Sequence, residues 1–349
     1  MRSLERVRAV ITGQDVDHLP VQPVVMMFAA RHLGIPFIDY TRDGRKMAAA
    51  QSKLVHDFGI DCLLTCSDPA REVIDIAGEG SIGWYEDQGP AICEERAALL
   101  DKTRLKSFRI PDPLGGGRMH DRIKAIEIMH QEFGGEVSIV GWVEGPLALA
   151  AELRGLTRIM TDFLDDPAFV GDLLDFTAEV AMVYAEAQIQ AGADTIGMSD
   201  AAASMMGPDH YRQFLFPRQK RVIDSIRQAH PEVLIRSHMC GNTDPLITQM
   251  KELAVQIFEI DSPTDLRAAR AGLGPSRVIL GNVSTITDML EGTPWQVYQA
   301  SRWCHQTCGR FHIVGTGCEV PTEAPPENLH AMVRYSREHR TNEFELAAA

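Results

Sequence analysis

The feature that most constrains this chain is a repeated alternation. Eight short apolar, β-branched runs are each followed by a stretch with helical spacing: 21–27, 61–66, 136–143, 195–199, 233–239, 256–261, 277–282 and 311–316. Strands apolar on both faces need helices on both sides, which is the requirement of a parallel sheet. The eight units predict an α/β fold, a single (β/α)8 TIM barrel with an N-terminal extension and an insertion around 68–113. A large open doubly wound sheet is the alternative, but no G-x-G-x-x-G follows a strand. Within the insertion periodicity lapses and Gly78, Gly80, Gly83 and Gly89 accumulate, which predicts short hairpin strands.

Between the strands, Leu246, Ile247, Met250, Leu253 and Ala254 fall on one helical face, as do Leu329, Met332 and Val333. A longer helix is expected over 209–229, with Pro208 near its start and Pro217 inside it, where a kink or break is required. One domain is expected over 1–341. The segment 342–349, containing Glu343-Phe344-Glu345-Leu346-Ala347-Ala348-Ala349, reads as a disordered tail or cloning scar.

Charge and cysteine content narrow the function classes. The net charge is −14 and no basic run stands out, which argues against nucleic-acid binding. No uninterrupted run of about 18 apolar residues is present, so no membrane span is expected. The N-terminal Met1-Arg2-Ser3-Leu4-Glu5-Arg6 lacks a signal-peptide core. Seven cysteines without framework spacing fit a reducing cytoplasm with thiols free for metal or core use. A homodimer is compatible with the sequence.

The sharpest local motif is Ser237-His238-Met239-Cys240-Gly241, which ends the fifth run. Residues two apart on a strand share a face, so His238 and Cys240 project together at the strand's C-terminal end. In a barrel that end carries the active site. Cys318 closes the last run, after Gly315-Thr316-Gly317, at the same end. One imidazole and two thiols with a position to spare is the pattern of catalytic zinc, so these three residues are the expected metal ligands. Asp261, or Glu259 on the same strand, is a candidate fourth ligand. The alternative for such a buried carboxylate is an ion pair with an arginine such as Arg236. Cys304, His305, Cys308 and His312 form a rival cluster, read as a helix face packed on the barrel. Cys62, Cys66 and Cys93 read as core thiols. Glu144, Asp200 and Asn282 stand at other strand ends, as substrate-orienting or catalytic groups or as helix caps. Met26, Met27, Phe28, Trp142, Met198, Met205 and Met206 suggest an apolar mouth, with Met26, Trp142, Met198 and Asn282 as substrate contacts.

With these residues in hand, the chain resembles the uroporphyrinogen decarboxylase superfamily over nearly its whole length. The resemblance runs through Leu4-Glu5-Arg6-Val7, Asp17-His18-Leu19-Pro20, Gly141-Trp142-Val143-Glu144-Gly145-Pro146, Ala191-Gly192-Ala193-Asp194-Thr195-Ile196, Gly281-Asn282-Val283 and Pro325-Pro326-Glu327-Asn328-Leu329. The decarboxylases' arginine motif resembles P-x-W-x-M-R-Q-A-G-R, whereas this chain has Pro23-Val24-Val25-Met26-Met27-Phe28-Ala29-Ala30-Arg31. The H-x-C pair with a distant cysteine is similar to the zinc methyltransferase branch, which works with corrinoid proteins. The resemblance implies zinc on His238, Cys240 and Cys318, and a corrinoid supplied on a partner protein, since no D-x-H-x-x-G motif is present. Two directions of methyl transfer are implied. The apolar mouth favours demethylation of an aryl methyl ether; methylation of a thiol of the coenzyme M type is the alternative. Porphyrinogen decarboxylation, and a structural zinc that only docks a corrinoid protein, are further readings.

Overall fold

Seven of the eight apolar runs pair, in chain order, into one parallel sheet: β1 (Cys62–Leu64), β2 (Ser138–Glu144), β3 (Thr195–Ser199), β4 (Leu234–Met239), β5 (Ile257–Ile260), β6 (Val278–Gly281) and β7 (His312–Ile313). The structure, a computed structural model, describes residues 1–86 and 88–344. Every residue of these strands is buried, as expected for a sheet covered on both faces. Long helices such as Gly44–Phe58, Arg118–Phe133 and Pro167–Gln190 supply the cover.

The first run is a correction. Residues 21–27 do not form a strand; Val21 and Val24 make only isolated parallel bridges, to Val314 and Glu319. Pro20 and Pro23 have no N–H to give to a ladder, and helix Met27–Leu33 has already begun by the end of the run. The segment nevertheless links the two edges of the sheet. Gln22 N–H donates to the Val314 carbonyl at 2.8 Å, and Asp61 N–H donates to the Val21 carbonyl at 2.8 Å.

The N-terminal extension is helix Ser3–Ile11. Its Val7 and Val10 pack against Leu234, Ile257, Val278, Leu280 and Ile313, at or near the strand starts. Arg6 anchors it, donating to Asp61 Oδ1 at 2.7 Å, while Asp61 Oδ2 accepts from Val21 N–H at 2.9 Å. One end of the sheet is thereby plugged, and open space is left at the strands' C-terminal ends.

Pro217 acts as expected. The helix over 209–229 is divided into Pro208–His210, a π-helical Tyr211–Leu215 and Phe216–Ala229. The wider turn lies directly before the residue that lacks a donor. In the insertion the expected hairpin is present, Ile82–Gly83 antiparallel to Ala91–Ile92, but it is preceded by an unanticipated helix, Ala70–Ala77. The stretch around Leu246 is less helical than its spacing suggests, with a 3-10 turn and only Ile247–Met250 in α conformation. Its apolar face is still buried. Of the expected tail, 345–349 lies outside the described residues, whereas Phe344 packs edge-on against His305 with ring centroids 4.8 Å apart. Among the described residues, no helix is long and apolar enough to cross a membrane.

Candidate metal centre

His238 ends β4 with Met239, and Cys240 follows on the same face. Their side chains converge, His238 Nε2 lying 3.0 Å from Cys240 Sγ. Cys318 arrives from the loop after β7, its Sγ 3.7 Å from Cys240 Sγ and 3.9 Å from His238 Nε2. Gly317 permits this approach, because a Cβ there would stand 2.5 Å from Ser262 N. Among the described residues these three form the one group of metal-type ligands. Tetrahedral zinc, with Zn–S near 2.3 Å and Zn–N near 2.0 Å, sets two sulfurs about 3.8 Å apart and nitrogen about 3.5 Å from sulfur. The sulfur separation is close to the first value and the two nitrogen–sulfur distances fall on either side of the second, so the donor set fits such an ion with one position left for substrate.

Of the three side chains only Cys318 is held in the form a metal binds; His238 and Cys240 would each release a proton on ligation. Cys318 is pulled down to about 4, first by its hydrogen bond with Cys240 and, against burial, by His238. Cys240 is pushed up by the same bond and by burial. Burial alone would lower His238; Glu259 and Cys318 outweigh it and raise the imidazole to about 10.

Behind the cluster, His238 Nδ1 lies 3.2 Å from Glu259 Oε2, an ion-pair distance without the alignment of a full hydrogen bond. Glu259 is itself held by Arg236, whose Nε donates to Oε2 at 2.6 Å. Burial opposes the Glu259 charge, but Arg236 and His238 outweigh it and hold the carboxyl at about 2. Of the two expectations for Glu259, the structure therefore shows the ion pair with Arg236. Asp261 stands outside the three-ligand group. Its Oδ2 accepts from Gly241 N–H and its Oδ1 from Ser262 N–H, both at 2.7 Å, so it fixes the turn that carries Cys240.

The cluster lies in the wall of a cavity of about 570 Å³. Met26, Trp142 and Glu144 line it, as does Met205. The Trp142 ring stands 6.0 Å from that of His238. Gly197 makes room for it, since a Cβ there would meet Trp142 at 2.4 Å.

Three other expected substrate or catalytic residues are placed elsewhere. Gly197 and Ser199 face the interior, so Met198, one residue out of phase, belongs to the large core cluster and is 1% exposed. Phe28 and Met206 are core residues too. Asp200 caps helix Pro146–Arg154, its Oδ1 accepting from Leu147 and Ala148 N–H at 2.9 and 2.8 Å. Burial raises its carboxyl to about 6 despite these bonds. Asn282 ties loops together, its Nδ2 donating to the Thr264 carbonyl at 3.1 Å and to the Asp261 carbonyl at 3.3 Å.

The rival cluster is core, as read. Cys304 and Cys308 are buried, His305 Nδ1 meets the Tyr335 hydroxyl at 2.9 Å, and His312 Nδ1 meets the Ile279 carbonyl at 3.2 Å. Cys62 and Cys66 are buried, whereas Cys93 is half-buried beside the insertion hairpin, with its Sγ 3.2 Å from Glu95. A hairpin of two residues per strand has no interior in which to bury it.

Two cavity residues escaped the sequence reading. Glu319 follows Cys318 directly and accepts from Met26 and Met27 N–H at 3.2 and 2.6 Å, while its Oε2 is buried without a partner. Glu152 is the acidic residue of an otherwise apolar first two turns, Pro146-Leu147-Ala148-Leu149-Ala150-Ala151. It lies four positions after Ala148, one helical turn on, so the two share the helix side that lines the cavity. Burial raises both carboxyls to about 8. Glu144 is raised as well, by burial and then by the neighbouring charge of Glu72. An acidic residue inside an apolar helix, and one abutting a candidate ligand, were the available signals.

A parallel α/β sheet with a histidine–dithiol cluster at its C-terminal end agrees with what sequence comparison finds. The chain belongs to the uroporphyrinogen decarboxylase (URO-D) family, whose profile matches residues 2–339. Within reach of that family, it is 25% identical over 342 residues to the methylcobamide:CoM methyltransferase MtbA of Methanosarcina mazei, covering 96% of this chain and 98% of the relative. It is also 25% identical over 351 residues to the methylated-thiol–coenzyme M methyltransferase of the same organism, covering 97% of this chain and 90% of the relative. In three dimensions it is similar to a methyltransferase from Methanosarcina mazei, with a TM-score of 0.86 at 22% identity over 97% of this chain and 99% of that one.

Proposed function

We propose that this chain is a zinc-dependent methyltransferase that moves a methyl group from the cobalt of a separate corrinoid protein to a small thiol. The observation that carries this reading is the convergence of His238, Cys240 and Cys318 in the wall of one deep cavity. The relatives' names, both of coenzyme M methyltransferases, support the thiol as acceptor over the aryl methyl ether that the apolar mouth suggested. That mouth is also smaller than expected, since Met198, Phe28 and Met206 belong to the core. The hydrogen bonds of Gln22 and Val21 across the sheet edges support a closed barrel in which 20–24 takes the eighth position.

His238, Cys240 and Cys318 would hold the zinc. When bound, zinc supplies Lewis acidity, which lowers the pKa of a thiol held beside it. The chain's own residues do the rest. Arg236 and Glu259 orient the His238 ring, and Asp261 fixes the turn that carries Cys240. Trp142, Met26 and Ala148 give the cavity an apolar wall that excludes water from the reacting sulfur. In the transfer the thiol proton leaves to solvent and a sulfur lone pair forms the new S–C bond. The C–Co electron pair returns to cobalt, which passes from Co(III) to Co(I).

The test is to mix the zinc-loaded protein with methylcob(III)alamin and a panel of thiols, and to follow the cob(I)alamin spectrum. Thiol-dependent demethylation, with about one zinc per chain, is expected. Full activity in a metal-free chain would overturn the zinc assignment. Methylation of cob(I)alamin by aryl methyl ethers, with no thiol reacting, would restore the demethylating direction.

A further inference from the structure

The cavity beside the metal centre is lined by acidic residues and by neither lysine nor arginine. Asp68 is neutralised, since Arg118 reaches its two oxygens at 2.7 and 2.8 Å. Glu144, Glu152 and Glu319 are not: among the described residues none of them has an ion-pair partner. Glu144 is 6% exposed, no group among the described residues donates to its carboxylate, and it lines the cavity. Glu319 Oε2 is likewise buried without a donor.

The guanidinium groups around this wall are engaged elsewhere. Arg236 is clamped on Glu259. Arg122 donates to the Trp142 carbonyl at 2.8 Å and to Ser67 Oγ at 3.3 Å. At the rim, Arg158 donates to the Glu94 carbonyl at 2.8 Å. A metal centre with two thiolates does not supply the missing positive charge, because they cancel that of a divalent ion. An anionic substrate would therefore be buried with no counter-ion and would further oppose ionisation of these carboxyls, which is unfavourable, whereas a cation would favour their ionised form. A cation would find carboxylates without partners in a cavity that Trp142 also lines.

We propose that the small substrate of this site is a cation; under the methyltransferase reading, on which this rests, the acceptor is an aminothiol rather than a thiol bearing a sulfonate or carboxylate. Glu144, Glu152 and Glu319 receive its ammonium group while the sulfur lies toward His238, Cys240 and Cys318.

The test compares 2-aminoethanethiol, 2-mercaptoethanol and 2-mercaptoethanesulfonate on the zinc-loaded protein. Each is titrated calorimetrically, and each is offered methylcob(III)alamin as methyl donor. The aminothiol is expected to exceed the sulfonate by about tenfold or more in both affinity and kcat/KM. Glu144→Gln and Glu319→Gln keep the side-chain shape and should each reduce that ratio several-fold. Because the ratio is compared between proteins, the intrinsic basicity of each thiol cancels. Equal or better use of the sulfonate by the wild type, or an unchanged ratio in both variants, overturns the inference and leaves the methyltransferase reading standing. Cation preference in the titration without methyl transfer to any thiol supports the cation site and overturns the methyltransferase reading instead.

Discussion

Glu259 Oε2 stands 3.2 Å from Nδ1 of His238, on the opposite side of the ring from the nitrogen that faces the two cysteines. A carboxylate behind a ligating imidazole fixes its orientation and strengthens it as a ligand. Glu259→Gln should lower zinc affinity by about 10–100-fold, read by competition with a chromophoric chelator. It should also cost about 3–5 kcal/mol in stability, because Arg236 loses its counter-charge in the interior. Unaltered affinity would remove the positioning role.

His238→Ala and Cys318→Ala should each abolish stoichiometric zinc while the chain stays folded. The ligands lie at the strand ends, beyond the apolar layers that hold the sheet. Metal analysis together with far-UV circular dichroism checks both halves. Loss of fold in both variants would mean a structural metal.

Asp261→Asn tests whether that carboxylate ligates. Its oxygens are occupied by the N–H groups of Gly241 and Ser262. The cobalt-substituted variant should therefore keep the wild-type visible spectrum, with affinity lowered through the looser Cys240 turn. A shifted ligand-field band would make Asp261 a ligand.

Asp68 sets a pH dependence. Burial opposes its charge, but Arg118 outweighs burial and holds the folded-state carboxyl at about 2. The unfolded value is about 3.9, so the unfolded chain binds more protons between the two. The stabilisation is full above that unfolded value and is lost as the pH falls toward 2. Urea midpoints measured from pH 6 downward should show this loss, and Asp68→Asn should flatten it.

Gly197→Ala should destabilise the chain by about 1–3 kcal/mol, because its Cβ must displace the Trp142 ring. Since that ring lines the cavity, weaker substrate binding should accompany the lower melting temperature.

The alternation of apolar runs and helical spacing placed seven strands and the ends that carry the ligands, because burial on both faces leaves a continuous pattern. The run at 21–27 misled because its apolar content is real while Pro20 and Pro23 deny it a ladder. Alternation also settled His238 with Cys240, a relation within one strand. Met198 was misassigned because its phase depends on which face Ser199 and Gly197 take, and only the Trp142 contact decides that. Asp200 and Asn282 were ambiguous for another reason: a carboxylate or amide at a strand end serves a helix N-terminus or a loop as readily as a substrate. Glu319 and Glu152 were missed because their significance comes from the absence of nearby cations, a property of three-dimensional neighbours.

Glu319 also joins the chain's distant parts, for the amides of Met26 and Met27, which bond to it, precede it by 293 and 292 positions. On a ribosome these early residues must wait until the segment carrying Glu319 has emerged. The cavity wall and the last cysteine therefore come together in one late event.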